Sequence, residues 1–221
     1  MRIGTNEKIV FIGDSVTDCG RVRPVGEGLD HPYGQGYVRD VAGLMQSVYP
    51  ERNIRVVNMG VNGNTSLDLK ARFESDALAL KPDWLSIMVG VNDVWRQFDS
   101  PASPELWVLP DVYEATLREL AAKAKPQVKG IVLMTPHYME PNKKDPMRAR
   151  MDEYGAIVKR VAEQTGSVFV DTQEALDRLL CHMHSSNIAW DRVHPNHIGH
   201  MAIARAFLAA MEFSFDHQPL A

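Results

Sequence analysis

The chain has 221 residues, enough for one domain with a sizeable hydrophobic core. Its 24 basic and 28 acidic side chains leave a formal charge of −4, so no overall field draws it toward nucleic acid or an anionic membrane. Two cysteines, Cys19 and Cys181, are too few for a disulfide-stapled scaffold and are expected to be reduced. No apolar stretch approaches the roughly 18 to 20 residues that cross a bilayer, so a soluble, cytoplasmic protein is expected.

The first predicted strand covers residues 8–12, a short apolar run of the kind buried on both faces. It stops in FIGDSVTD, where Gly13, Asp14 and Ser15 place a glycine, a carboxylate and a hydroxyl in succession. Residues 24–33, with glycines, a proline and an Asp-His-Pro step, read as a loop, and 36–49 carry apolar positions three and four apart, as a helix does. A second strand over 55–57, flanked by Ile54 and Asn58, runs into the glycine- and asparagine-rich NMGVNGN. One helix is predicted over 67–80, a third strand over 85–89 ending in GVND, and a loop over 97–110, which holds three prolines. A helix over 112–125 leads to the strand 131–134, which ends in Thr135, Pro136 and His137. The helix 147–164, the strand 168–170 ending at Asp171, and helices over 173–180 and 198–208 complete the series. The tail from Glu212 is expected to pack at first and then fray.

Strand then helix, repeated, implies a mostly parallel sheet covered on both faces, in a single domain spanning 1–221. Ligands of such sheets collect at the carboxyl ends of the strands, and the first three strands deliver glycines and small polar groups there. Taken alone, Ser15 reads more simply as a helix cap than as a nucleophile. A serine becomes nucleophilic when a base takes its proton, and the base needs a third group to fix its tautomer. AWDRVHPNHIGH supplies that pair: Asp191 and His194 lie three residues apart before the last helix, and Pro195 restricts His194 to extended conformations. The order Ser, Asp, His is that of an α/β hydrolase, but the G-x-S-x-G elbow is absent and the Asp–His spacing is tighter.

A developing oxyanion needs donors, and the backbone N–H groups of Ser15 and Gly63 and the side-chain amide of Asn92 are on offer. Asp14 reads as a structural hydrogen-bonding residue, and Asp93 as either a loop brace or a substrate contact. His197 and His200 have the spacing of no metalloprotease helix pair, so no metal is expected there. Trp95, Arg96, Trp107 and Trp190 suit either a sugar's apolar faces and hydroxyl rim or ordinary packing at a mouth or subunit interface. Of these, Trp95 and Trp190 are better placed to line a cleft, with Arg96 beside them as a candidate substrate contact.

FIGDSVTD, NMGVNGN, GVND and DRVH, in this order, resemble the conserved blocks of the GDSL, or SGNH, hydrolases, whose name letters fall on Ser15, Gly63, Asn92 and His194. The resemblance runs from Phe11 to His194. It implies an α/β fold, a flavodoxin-like three-layer α/β/α sandwich with a five-stranded parallel sheet, and acyl-serine chemistry with Asp191 orienting His194. It also implies an oxyanion hole of Ser15, Gly63 and Asn92, and a reaction that requires no metal or organic cofactor. TDCGR, NDVWRQ and WDRVHPN are most similar to bacterial acetylxylan and acetyl-xylooligosaccharide esterases that work inside the cell. The implied reaction removes O-acetyl groups from xylooligosaccharides or related acetylated sugars. The alternatives are a thioesterase or lysophospholipase of longer acyl specificity, and a catalytically inactive carbohydrate-binding protein. Arg192 stands where many members carry glycine, which bears on the width and charge of the cleft. Exposed aromatic and methionine-rich segments favour a homo-oligomer.

Overall fold

Every apolar run predicted as a strand forms one. In the computed structural model, which describes residues 1–217, β1 (Lys8–Gly13), β2 (Arg55–Asn58), β3 (Trp84–Met88), β4 (Gly130–Met134) and β5 (Val168–Val170) make one parallel sheet in the order β2-β1-β3-β4-β5. This is the flavodoxin-like order. The helices are α1 (Ser15–Asp18), α2 (Tyr37–Val48), α3 (Ser66–Ala71), α4 (Phe73–Asp76), α5 (Val91–Asp99), α6 (Pro110–Ala124), α7 (Pro146–Thr165), α8 (Thr172–Leu180) and α9 (His197–Ala210).

Both faces of the sheet are apolar because neighbouring strand residues point to opposite sides. Val10, Ile12, Leu85, Ile87 and Leu133 pack with α3 to α7, including Leu69, Phe73, Leu117 and Tyr154. Ile9, Phe11, Val56, Val132 and Val170 pack with α2, α8 and α9, including Tyr37, Leu176 and Phe207. Two cores on one sheet give the three layers.

Two helical expectations change. The helix expected over 67–80 is broken: α3 ends at Ala71, Arg72 leaves helical geometry at φ −104 and ψ 6, and α4 follows as a separate short turn. The loop expected over 97–110 begins later, because GVND opens α5, which runs on to Asp99. Val91 and Val94 hold that helix in the core. The tail packs as far as it is described: His217 stacks on Tyr49 with ring centroids 3.9 Å apart, and Phe213 meets the same ring at 5.3 Å. The end of the segment expected to fray, 218–221, lies outside the described residues. Among the described residues no helix is long and apolar enough to cross a membrane.

β1 is followed outward by β2 on one side while the chain returns to β3 on the other. The strand order therefore reverses between β1 and β3, and the crevice at their carboxyl ends is the natural ligand position.

Candidate active site

β1 ends at Gly13, where a Cβ would fall 2.2 Å from the Met88 carbonyl oxygen, so the close approach of β3 requires glycine here. Asp14 then takes the capping bond: its Oδ1 accepts the Val16 N–H at 3.0 Å. Ser15 is thus the first helical residue rather than the cap, and its backbone N–H is among those with no carbonyl to meet inside the helix.

Burial pushes the Asp14 carboxyl up to about 7, with Asp93 adding to the rise and the Val16 N–H opposing it. An ordinary aspartate ionises at 3.8, so from there to about pH 7 the folded chain keeps a proton that the unfolded chain has lost. The contribution of this group to stability therefore falls as pH rises through that window. Asp14→Asn keeps an oxygen for the cap and does not ionise. Thermal melts should show it more stable than the parent at about pH 8 and no more stable at about pH 4. A difference independent of pH would contradict a buried carboxylic acid.

His194 reaches Ser15 from a tight turn between Ala189 and α9. The Asp191 Oδ1 accepts the backbone N–H groups of Val193 at 2.9 Å and His194 at 2.8 Å, folding the turn around its own carboxylate. Arg192 carries it at φ 64, in the left-handed region that glycine adopts more readily. Its cost is met by anchoring: the Arg192 carbonyl accepts from Met139 N–H at 2.8 Å, and its guanidinium pairs with Glu140. Behind the turn, buried His137 donates from Nε2 to the Val193 carbonyl at 3.2 Å. The Asp191 Oδ2 lies 2.6 Å from His194 Nδ1, which places the ring proton there and leaves Nε2 to accept from Ser15 Oγ at 2.9 Å. Partial burial pushes the Asp191 carboxyl up, but the His194 ring and two backbone N–H groups outweigh it and hold it below its ordinary value.

The second and third segments meet beside Ser15. Gly63 lies at φ 77, and the space a Cβ would occupy is open, so backbone conformation rather than close packing calls for glycine. Asn62 N–H donates to buried Asp18 at 3.0 Å, tying this loop to α1. Asn92, buried in the first turn of α5, donates one Nδ2 hydrogen to the Asn64 carbonyl at 3.0 Å. Both oxygens of Asp93 lie 3.0 Å from the Ser66 N–H, and Oδ1 also takes its hydroxyl, so this side chain braces α3 against α5. Burial pushes Asp93 up to about 6 against those bonds.

Ser15, Gly63, Asn92 and His194 line one open cleft of about 410 Å³, together with Cys19, Trp95 and Arg96. The Trp95 ring lies tilted against His194 with centroids 5.8 Å apart, and the Arg96 guanidinium sits 5.4 Å from the Trp95 ring centre. Trp190 follows a different course: it is 85% exposed and outside the cleft lining. Among the described residues no group of three His, Cys, Asp or Glu side chains gathers as a metal site. Buried His200 spends Nδ1 on the Tyr37 N–H at 3.2 Å and turns Nε2 to Cys19 Sγ at 3.5 Å.

Cys19, Asp18, His137 and Arg72 are further residues in or behind the site, beyond those that the sequence motifs mark. TDCGR follows the serine closely enough to have pointed to Asp18 and Cys19. For His137 and Arg72 the partners are too distant in sequence for any local signal, as Val193 and Gly13 show.

Residues 11–202 match the GDSL-like Lipase/Acylhydrolase family. The chain belongs to this family. Over 97% of its length this GDSL-like hydrolase is 58% identical to an acetylxylan esterase of Geobacillus stearothermophilus, of which it covers 98%. The crystal structure of that enzyme, Axe2, matches it over the same shares of both chains with a TM-score of 0.96. Structures of the S15A, D191A and H194A forms of Axe2 are described as those of catalytic mutants. LAE5, an alpha/beta hydrolase enzyme from the metagenome of Lake Arreo, is 50% identical with a TM-score of 0.93, covering 96% of this chain and 98% of its own. An acetylxylan esterase of Xylanibacter ruminicola is 28% identical over 93% of this GDSL-like hydrolase, which spans 43% of that longer protein.

Proposed function

We propose that the chain is a serine esterase that removes O-acetyl groups from acetylated xylooligosaccharides or related sugars through an acetyl-serine intermediate. The observation that carries the reaction is the relay from Asp191 through His194 to Ser15, with contacts of 2.6 and 2.9 Å, ending beside Gly63 and Asn92 in one cleft. Ser15 Oγ attacks the acetyl carbonyl carbon as His194 Nε2 takes its proton, and Asp191 holds the resulting imidazolium. Charge on the carbonyl oxygen meets the N–H groups of Ser15 and Gly63 and the free hydrogen of Asn92 Nδ2. The bond between the acetyl carbon and the sugar oxygen breaks, His194 returns the proton to that oxygen, and the acetyl group stays on Ser15 as an ester. Water then loses a proton to the same Nε2, attacks the acetyl carbon and releases acetate, restoring the serine hydroxyl.

The substrate class draws on what the similar enzymes are described as doing, and on the cleft itself. Its lining is open and divided about evenly between polar and apolar surface, and Trp95 with Arg96 offers a ring and a guanidinium to a sugar. Trp190, exposed beside Asp191, belongs to the proposal as a contact for a longer oligosaccharide or a second copy of the chain. A homo-oligomer and a cytoplasmic site of action on short oligosaccharides belong to it as well.

The test compares acetate release from acetylated xylooligosaccharides with hydrolysis of acetyl and octanoyl esters of one alcohol. Acetate release with an acetyl preference of tenfold or more, taken as an order-of-magnitude threshold, is expected. An octanoyl preference would overturn the substrate class. No hydrolysis of any ester would leave a carbohydrate-binding protein.

A further inference from the structure

We propose that Arg72 is the positioning residue that holds the oxyanion site together, a role that rests on the serine-esterase reading above. The three proposed donors come from segments far apart in sequence: Ser15 after β1, Gly63 after β2 and Asn92 after β3. Their mutual placement must be held to a few tenths of an ångström, because a misplacement of about 1 Å can cost on the order of 100-fold in rate.

Arg72 sits at the break between α3 and α4 with its side chain only 15% exposed. Its Nη2 donates to the Gly13 carbonyl at 2.9 Å, two residues before Ser15. Its Nη1 donates to the Met59 carbonyl at 2.7 Å, where the chain leaves β2 for the loop that carries Gly63. Its Nε donates to Asn64 Oδ1 at 2.6 Å, one residue beyond Gly63. The Asn64 backbone carbonyl in turn accepts the Asn92 amide at 3.0 Å. One planar fork thus reaches two donor segments directly and the third through Asn64. Asp76 Oδ2, 3.1 Å from Nη1, fixes the guanidinium from its own helix. A lysine would carry the charge but present it as a compact point, without the rigid fork that meets acceptors in three directions.

The strand ends have a second set of ties. Met59 N–H donates to the Phe11 carbonyl at 2.7 Å and Val61 N–H to the Gly13 carbonyl at 3.0 Å. The sheet therefore stays joined without the guanidinium, and what Arg72 adds is the aim of the loops.

Arg72→Met and Arg72→Lys test this. Active sites are counted by the end point of phosphonate labelling at Ser15, and kcat per labelled site and KM are measured on a small acetyl ester. Both variants should lose roughly 10- to 100-fold in kcat per site with KM within about threefold. The loss should shrink in an Asn92→Ala background, because the two changes damage one site. Guanidinium ion should restore part of the kcat of Arg72→Ala, and ammonium ion should not. A kcat per site within about twofold of the parent in Arg72→Lys, a loss carried by KM, or full multiplication with Asn92→Ala would overturn the inference. If Arg72→Met does not fold, Arg72→Lys decides. Failure of the parent chain to take phosphonate at Ser15 would instead remove the esterase reading.

Discussion

Ser15→Ala is expected to lower turnover of a small acetyl ester by roughly 10³- to 10⁶-fold while leaving the fold and melting temperature nearly unchanged. The fold is spared because the side-chain cap of α1 comes from Asp14, and the Ser15 hydroxyl is engaged with His194. Removing it takes away the proposed bond-forming atom and leaves the backbone N–H in place, so a small residual rate from the proposed oxyanion donors is expected. Steady-state kinetics with circular dichroism of the same samples check this. A variant within tenfold of the parent and equally folded would remove Ser15 as the nucleophile.

Asp191→Asn is expected to lower kcat by roughly 10⁴-fold, with the turn intact. The asparagine oxygen can still accept from the Val193 and His194 N–H groups that Oδ1 now serves. Its amide nitrogen then faces His194 Nδ1 as a donor where a carboxylate oxygen stands at 2.6 Å. That favours the tautomer with the proton on Nε2, pointing at Ser15 Oγ, which is wrong for a base. The variant should melt close to the parent while kcat/KM falls. A loss smaller than about tenfold would mean that His194 needs no carboxylate to hold its tautomer.

Much of this was legible from the sequence, for reasons that separate local from distant physics. The strands around Val10, Val56, Leu85 and Val132 announce themselves as short apolar runs ended by glycine or polar residues, and each forms. Helix α5 is hidden because it spans only nine residues and opens on Gly90-Val91-Asn92-Asp93, which reads as a turn. Residues 67–80 read as one helix because apolar spacing persists through Arg72, whereas the chain breaks there and its guanidinium bonds to Gly13, Met59 and Asn64. Periodicity carries no information about those targets. Asp14 and Ser15 divide between them what either could do alone, and only backbone geometry shows the cap on Asp14. Asp93 is undecided in the sequence and proves committed to Ser66 through both oxygens. The turn from Asp191 to His194 is foreseen from spacing and Pro195; its anchoring by His137 and Met139 is not, since those partners lie more than fifty residues earlier.

Whether Ser15 is the nucleophile is tested by peptide mapping by mass spectrometry after brief exposure of the folded chain to an active-serine phosphonate. One adduct per chain is expected, on Ser15, with loss of esterase activity in step, and none in Ser15→Ala. An adduct on Cys19, whose residue lines the same cleft, or full turnover with Ser15 unlabelled, would contradict it.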